Sequence, residues 1–157
     1  MKRFVIGIFA FVLISNVSFA QLTNYINPSG IYKLDSKVTK KNGETYGYFG
    51  DIKVLSTDKS RILISFFVCK GAPSYNSGSF VDTLDYINNI AIYKGDPETD
   101  STCNITMSFL EKGIDVDLKS ENLNFACGFG HAVDPHGFYY KLKGKIPKKE
   151  EILKEGN

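Results

Sequence analysis

The chain contains two histidines, and both fall in one short segment, His131-Ala-Val-Asp134-Pro-His136. Two imidazoles and a carboxylate are suitable ligands for zinc or a related ion. However, Pro135 stiffens the segment, no fourth ligand is evident, and HxxDxH matches no well-attested zinc spacing. The simpler reading is a polar turn over residues 134–137, with Pro in the second position and Gly in the fourth. Neither a metal nor a cofactor is expected. Cys69 with a histidine base could form a nucleophilic pair. No cluster of positive charge and no helix N-terminus stands near it to lower the thiol pKa. The expectation for Cys69 is a buried, inert side chain. The acidic pairs Asp115/Asp117 and Asp82/Asp85 could serve acid–base chemistry, but the first belongs to the polar side of an alternating segment and nothing marks the second as a pocket. Phosphate-binding, dinucleotide-binding, EF-hand and nucleophile-elbow motifs are absent. These residues point away from catalysis.

Recognition is the better-supported chemistry. Residues 70–80 (KGAPSYNSGSF) read as the longest loop, rich in Gly, Ser and Asn around one tyrosine. An aromatic anchor among small, adaptable hydrogen-bonding residues is a common binding-surface composition. Tyr75, Asn76 and Ser77 are therefore expected contact residues, together with His131 and His136 of the loop at 130–137.

The elements that must hold these loops are strands. Gly30–Leu34 (GIYKL) alternates apolar and polar residues, and Asn42-Gly43 is a strong hairpin signal. Residues 45–55 are aromatic and β-branched, with Gly47 and Gly50 permitting a bulge. Residues 62–69 (ILISFFVC) form the most apolar run after the first twenty residues and predict a central strand. Residues 81–93 read as two strands joined at Asn88-Asn89. Residues 103–110 and 114–118 predict the cleanest hairpin, with Ile114, Val116 and Leu118 on one face and Asp115, Asp117 and Lys119 on the other. Residues 124–129 and 138–142 suggest two more strands. Eight or nine short strands at near-regular spacing indicate an all-β fold. Hairpin-length links favour a small antiparallel meander barrel of about eight strands, with a β-sandwich as the alternative.

Residues 1–20 have the form of a cleaved signal peptide. Lys2 and Arg3 precede an apolar run at 4–14, and Ser18-Phe19-Ala20 supplies small residues at the cleavage positions. The run is short for a membrane span. The formal charge of +2 comes from Lys2 and Arg3, and the rest of the chain is balanced. Nucleic-acid binding is not expected from such a balance. Residues 21–143 are read as the barrel-like domain and 144–157 as a Lys/Glu-rich solvated tail, in which 148–154 could form a short helix. The expected location is periplasmic or secreted, with no stable membrane insertion after signal cleavage.

Export places Cys69, Cys103 and Cys127 where disulfides persist. Three pairings are possible. Cys103–Cys127 is favoured, because Cys103 opens one hairpin arm and a meander would return the strand carrying Cys127 beside it.

The segments Cys103-Asn-Ile-Thr-Met-Ser-Phe, 113–118, Cys127-Gly-Phe-Gly-His-Ala-Val and Gly137-Phe-Tyr-Tyr-Lys together resemble the C-terminal half of small exported bacterial proteins of uncharacterised function. Their pattern ends C-G-F-G-x-x-V-x-x-x-G-x-Y, and Pro28-Ser-Gly-Ile-Tyr resembles their first strand. The resemblance carries no activity but supports the Cys103–Cys127 bridge. More loosely, the size, leader and β pattern are similar to periplasmic lysozyme inhibitors. Those proteins often carry S-G-x-x-Y. Here Ser29-Gly30-Ile31-Tyr32 has its tyrosine one position early, and Ser77-Gly78-Ser79-Phe80 has none, so no inhibitory residue is carried over. The expected function is a non-catalytic exported binding protein whose partner is another exported protein, such as a lysozyme-type cell-wall hydrolase. The alternative is a carrier of a small apolar ligand in a calycin-like barrel, followed by a thiol- or metal-dependent enzyme.

Overall fold

Period-two alternation places one side of every long strand in a common interior, and that interior sets the architecture. The computed structural model describes residues 24–156, so the proposed signal peptide lies outside the described residues. The strands are β1 (Gly30–Leu34), β2 (Thr39–Lys41), β3 (Glu44–Ser56), β4 (Arg61–Gly71), β5 (Ser77–Asp85), β6 (Ile90–Tyr93), β7 (Asn104–Leu110), β8 (Gly113–Lys119) and β9 (Gly137–Lys141). Two short helices, α1 (Pro97–Asp100) and α2 (Lys149–Leu153), complete the set. Among the described residues no helix is long and apolar enough to cross a membrane.

All strand pairs are antiparallel, and the path runs β5-β4-β3-β1-β9-β8-β7-β6, with β2 attached to β3. This is the expected meander barrel, nearly closed, and not a sandwich. The first and last strands, β1 and β9, pair with each other. The gap therefore falls between β5 and β6, which are neighbours in sequence. Asn88 and Asn89 turn the chain with positive φ, but only Ile87 and Ile90 pair before the strands diverge. Side chains close the gap. Phe80 of β5 stacks on Tyr93 of β6 at 3.7 Å between ring centroids, and on Phe66 of β4 at 5.1 Å.

The interior is filled by Tyr32, Ile52, Ile64, Phe66, Met107, Phe109 and Tyr139, all essentially inaccessible. On β8, Ile114, Val116 and Leu118 point inward and Asp115, Asp117 and Lys119 outward, as the alternation predicts. β4 is apolar on both faces because its outer side is also covered. Ile152 of α2 is fully buried, and Glu155 pairs with Lys53 and accepts from the Ser65 hydroxyl. The C-terminal segment is thus mostly exposed yet anchored to the barrel wall, and its helix lies within the expected 148–154.

Two expectations require correction. Residues 77–80 are not loop: β5 begins at Ser77, and Val68↔Gly78 and Phe66↔Phe80 are in register. Gly and Ser disguised a strand because one of its inward positions must be empty. A Cβ at Gly78 would sit 2.2 Å from the Phe129 ring, which caps the core there. Residues 124–129 are not a strand either. They form a 3₁₀ turn at Ala126–Gly128, with Cys127 at φ +58°. The true partner of β8 is β9.

Gly78→Ala should therefore lower stability by about 1–3 kcal/mol through overpacking. Adding Phe129→Ala should recover part of that loss. Chemical denaturation of both single variants and the double variant measures the coupling, and simple additivity would contradict the packing account.

Candidate functional site

The barrel has two ends. One carries the connections at 72–76, 94–103 and 120–136, and it holds most of the expected contact residues. The link between β4 and β5 is tight. The Tyr75 N–H donates to Gly71 O at 2.9 Å, and Tyr75 itself sits at φ +51°. Its hydroxyl accepts from the Thr45 N–H at 3.0 Å, which holds the ring beside the β2–β3 hairpin with 41% of the residue exposed. Beneath it, the Cys69 thiol is buried. It donates to Tyr75 O at 3.6 Å and accepts from the Gly71 N–H.

The second loop is fastened to the first. The Asn76 amide donates to His131 O at 3.0 Å, and the Gly130 N–H donates to Ser77 O at 2.9 Å. Tyr48 fastens it from the other side, donating to Ala132 O at 3.1 Å and accepting from the Asp134 N–H at 3.3 Å. Tyr48 lies in the β3 bulge at Gly47, whose φ of +93° and 2.5 Å clearance from Lys37 O admit only glycine. The expected bulge thus acts by placing a tyrosine against a loop more than eighty residues away.

Tyr75, Asn76, Ser77 and His131 are therefore gathered at one end. His136 is not with them. It stands beside β8, its Nδ1 against Asp134 and its Nε2 2.8 Å from Asp117 Oδ1. Burial alone would lower its pKa, but the hydrogen bonds and charges of Asp134 and Asp117 outweigh burial and raise it. These two carboxylates bind the imidazole of His136 as a clasp between loop and sheet.

Sequence reasoning missed two residues of this end. Phe125 is 51% exposed, and its ring lies 5.4 Å from that of His131. Assigning 124–129 to a strand concealed it, although the flanking Asn122 and Asn124 are turn residues. The other is Asp100, a buried carboxylate at the end of α1. It accepts from the Cys127 N–H at 2.9 Å, the Ser120 hydroxyl at 2.8 Å, the Thr102 hydroxyl at 2.7 Å and the Thr102 N–H at 3.1 Å. The D-x-T spacing of Asp100 and Thr102 is the signal for such a turn.

Asp100 explains the disulfide. Cys103 and Cys127 are bonded with their Cα atoms 5.0 Å apart, the expected pair. The route differs from the expected one, because Cys127 arrives on the 3₁₀ turn held by Asp100 and not on a third strand. The bridge closes a 24-residue separation, worth about 3 kcal/mol in the chain-entropy model. Asp100, Cys103 and Cys127 are close enough to hold an ion, but the sulfurs are bonded to each other and four donors already occupy the carboxylate.

Further concavities lie along the barrel wall and at its opposite end. A groove of about 680 Å³ follows the β5–β6 seam, between Asp82–Asp85 and Ile90–Tyr93. Another, of about 590 Å³, lies at the opposite end around Lys112 and residues 140–146.

No protein-family model matches the sequence, and no curated protein or solved structure matches it.

The hydrogen bonds from Cys127, Thr102 and Ser120 bring the pKa of Asp100 down from its ordinary 3.8 to about 2. A lowered folded-state pKa contributes stability above the unfolded value that is lost as pH falls through the folded one. Stability should therefore decline between pH 3.8 and about 2 in the native chain. Asp100→Asn should be less stable at neutral pH by about 2 kcal/mol and should lack that share of the acid-induced loss. Denaturant midpoints across this range decide it. His136 has the opposite sign: its contribution is present below the ordinary imidazole pKa and fades as pH rises through the raised value. Replacing His136 by Gln should flatten stability over the neutral range.

Proposed function

We propose that this chain is an exported binding protein that engages another exported protein through the barrel end built from residues 72–77 and 123–132. The observation that carries the reading is the fastening of two distant loops, by Asn76 to His131 O and Gly130 to Ser77 O, into one surface with exposed aromatic side chains. Tyr75, Cys127 and Ala132 all adopt positive φ there. Strained backbone held in place by its surroundings is typical of recognition surfaces. Tyr75 and Phe125 supply apolar area at low entropic cost, and loops already ordered lose little freedom on binding.

The partner class we propose is a cell-wall hydrolase of the lysozyme type. The support is the small all-β domain with a signal-like leader and one disulfide. The Ser29–Tyr32 segment takes no part in this surface, since Tyr32 is buried and its hydroxyl donates to Pro28 O at 2.6 Å. The apolar-carrier reading loses support because Tyr32, Phe66, Phe109 and Tyr139 occupy the space a ligand would need. A thiol mechanism loses support because Cys69 is buried and hydrogen-bonded within the 69–75 turn.

Titration calorimetry against a panel of purified lysozymes, with a cell-wall lysis assay alongside, tests the proposal. Tyr75→Ala and His131→Ala should each weaken binding about tenfold or more, as hot-spot truncations do. Denaturation midpoints separate lost contact from lost fold. Binding unchanged in both folded variants would refute the loop assignment, and a panel without any binder would refute the partner class.

A further inference from the structure

The opposite end of the barrel is chemically different. The connections at 24–29, 111–112 and 142–146 meet there. Leu110, Tyr140 and Ile146 stand out from it with 49%, 48% and 65% of their surface exposed. Leu110 pairs with Gly113, and Gly113 with Tyr140, so the β7–β8 turn and the end of β9 are adjacent. Tyr140 and Ile146 line the 590 Å³ groove together.

The same groove is lined by Lys112, Lys141, Lys143 and Lys145, with Glu111 as its one carboxylate. Among the described residues none of these four lysines belongs to an ion pair. Lys141 is half-buried, and its ammonium donates to Asn27 O at 2.9 Å and lies 5.5 Å from the centroid of the Tyr32 ring. Burial lowers its pKa, as expected for a cation without a carboxylate neighbour.

We propose that this end is a peripheral contact site for an anionic membrane surface, with Leu110, Tyr140 and Ile146 entering the headgroup region and the lysines facing lipid phosphates. The charges and apolar tips suit each other. Apolar side chains ringed by long basic ones are the composition of interfacial anchors, and exposed tyrosine favours the headgroup level. A simple anion pocket would not need three exposed apolar residues. The segment before β1 is held at this end by the Asn89 side chain, whose Nδ2 donates to Asn24 O and whose Oδ1 accepts from the Ile26 N–H. This site is independent of the loop surface at the other end.

Vesicle co-flotation tests it, with vesicles of phosphatidylcholine alone or with roughly one quarter phosphatidylglycerol. The variants are Lys143→Glu with Lys145→Glu, and Ile146→Ser, each compared with the unmodified chain carrying the same N-terminus, so that any contribution of residues 1–23 cancels. The chain should partition onto the anionic vesicles and leave them at high salt. Each lysine lost should cost about fivefold in partition, and charge reversal more. Ile146→Ser should reduce it several-fold. The protein has no tryptophan, so Ile146→Trp provides a single reporter whose emission should shift to the blue on binding. Equal partition of all variants, or no emission shift, would overturn the proposal. Release of the protein by soluble glycerol phosphate at the same phosphate concentration would also overturn it, reducing the site to an anion pocket. All substituted side chains are exposed, and matching thermal melts confirm that the variants are folded.

Discussion

The parallel stack of Tyr93, Phe80 and Phe66 is the contact on which the barrel depends. Pairing of β1 with β9 joins the two ends of the meander and leaves its opening between β5 and β6. Among the described residues, β5–β6 backbone pairing stops at the Ile87–Ile90 bridge, and beyond it these stacked rings span the seam. Closure by side chains lets β6 lean away from β5 without exposing the core. Phe129 extends the aromatic layer from the loop side, its ring stacked at 6.3 Å on Phe66 over the space that Gly78 leaves. The loop that carries His131 is thus continuous with the core.

That continuity is matched by specific contacts that hold this irregular end of the molecule to the strands and to itself. The turn containing Cys127 has few backbone partners of its own. Asp100 supplies acceptors for it, the disulfide ties it to the start of β7, and Tyr48 and Asn76 hold the following loop. Every one of these restraints comes from a residue distant in sequence. Binding surfaces gain from such arrangements because the order is established during folding and is not demanded again at encounter.

The two ends divide the chemistry of the surface. The loop end offers half-exposed aromatics on strained but fastened backbone, suited to a shaped protein partner. The other end offers apolar tips among unpaired lysines, suited to a planar anionic surface. The near-zero charge of the chain beyond its first twenty residues conceals this, because net charge averages over faces that a partner meets one at a time.

Period-two alternation determined much of this protein from sequence alone. It placed Ile114, Val116 and Leu118 inward and made the fold an antiparallel meander of about eight strands, while the continuous apolar run at 62–69 marked β4 as a buried strand, although it lies next to the seam strand β5. The Asn42-Gly43 and Asn88-Asn89 turns were legible because positive φ strongly favours glycine and asparagine. The disulfide partners were legible too, although by a route that the structure replaced. Other features were decided only in the tertiary structure. Gly78 read as loop because an empty strand position is meaningful only beside the Phe129 ring. Residues 124–129 read as a strand because their true restraint, Asp100, lies outside any local window. The position of the seam, the gathering of Tyr75 with His131 and the separation of His136 all follow from which strands meet around the barrel. Local propensity carries no information about those meetings, since they arise from burying every inward side chain in one shared interior.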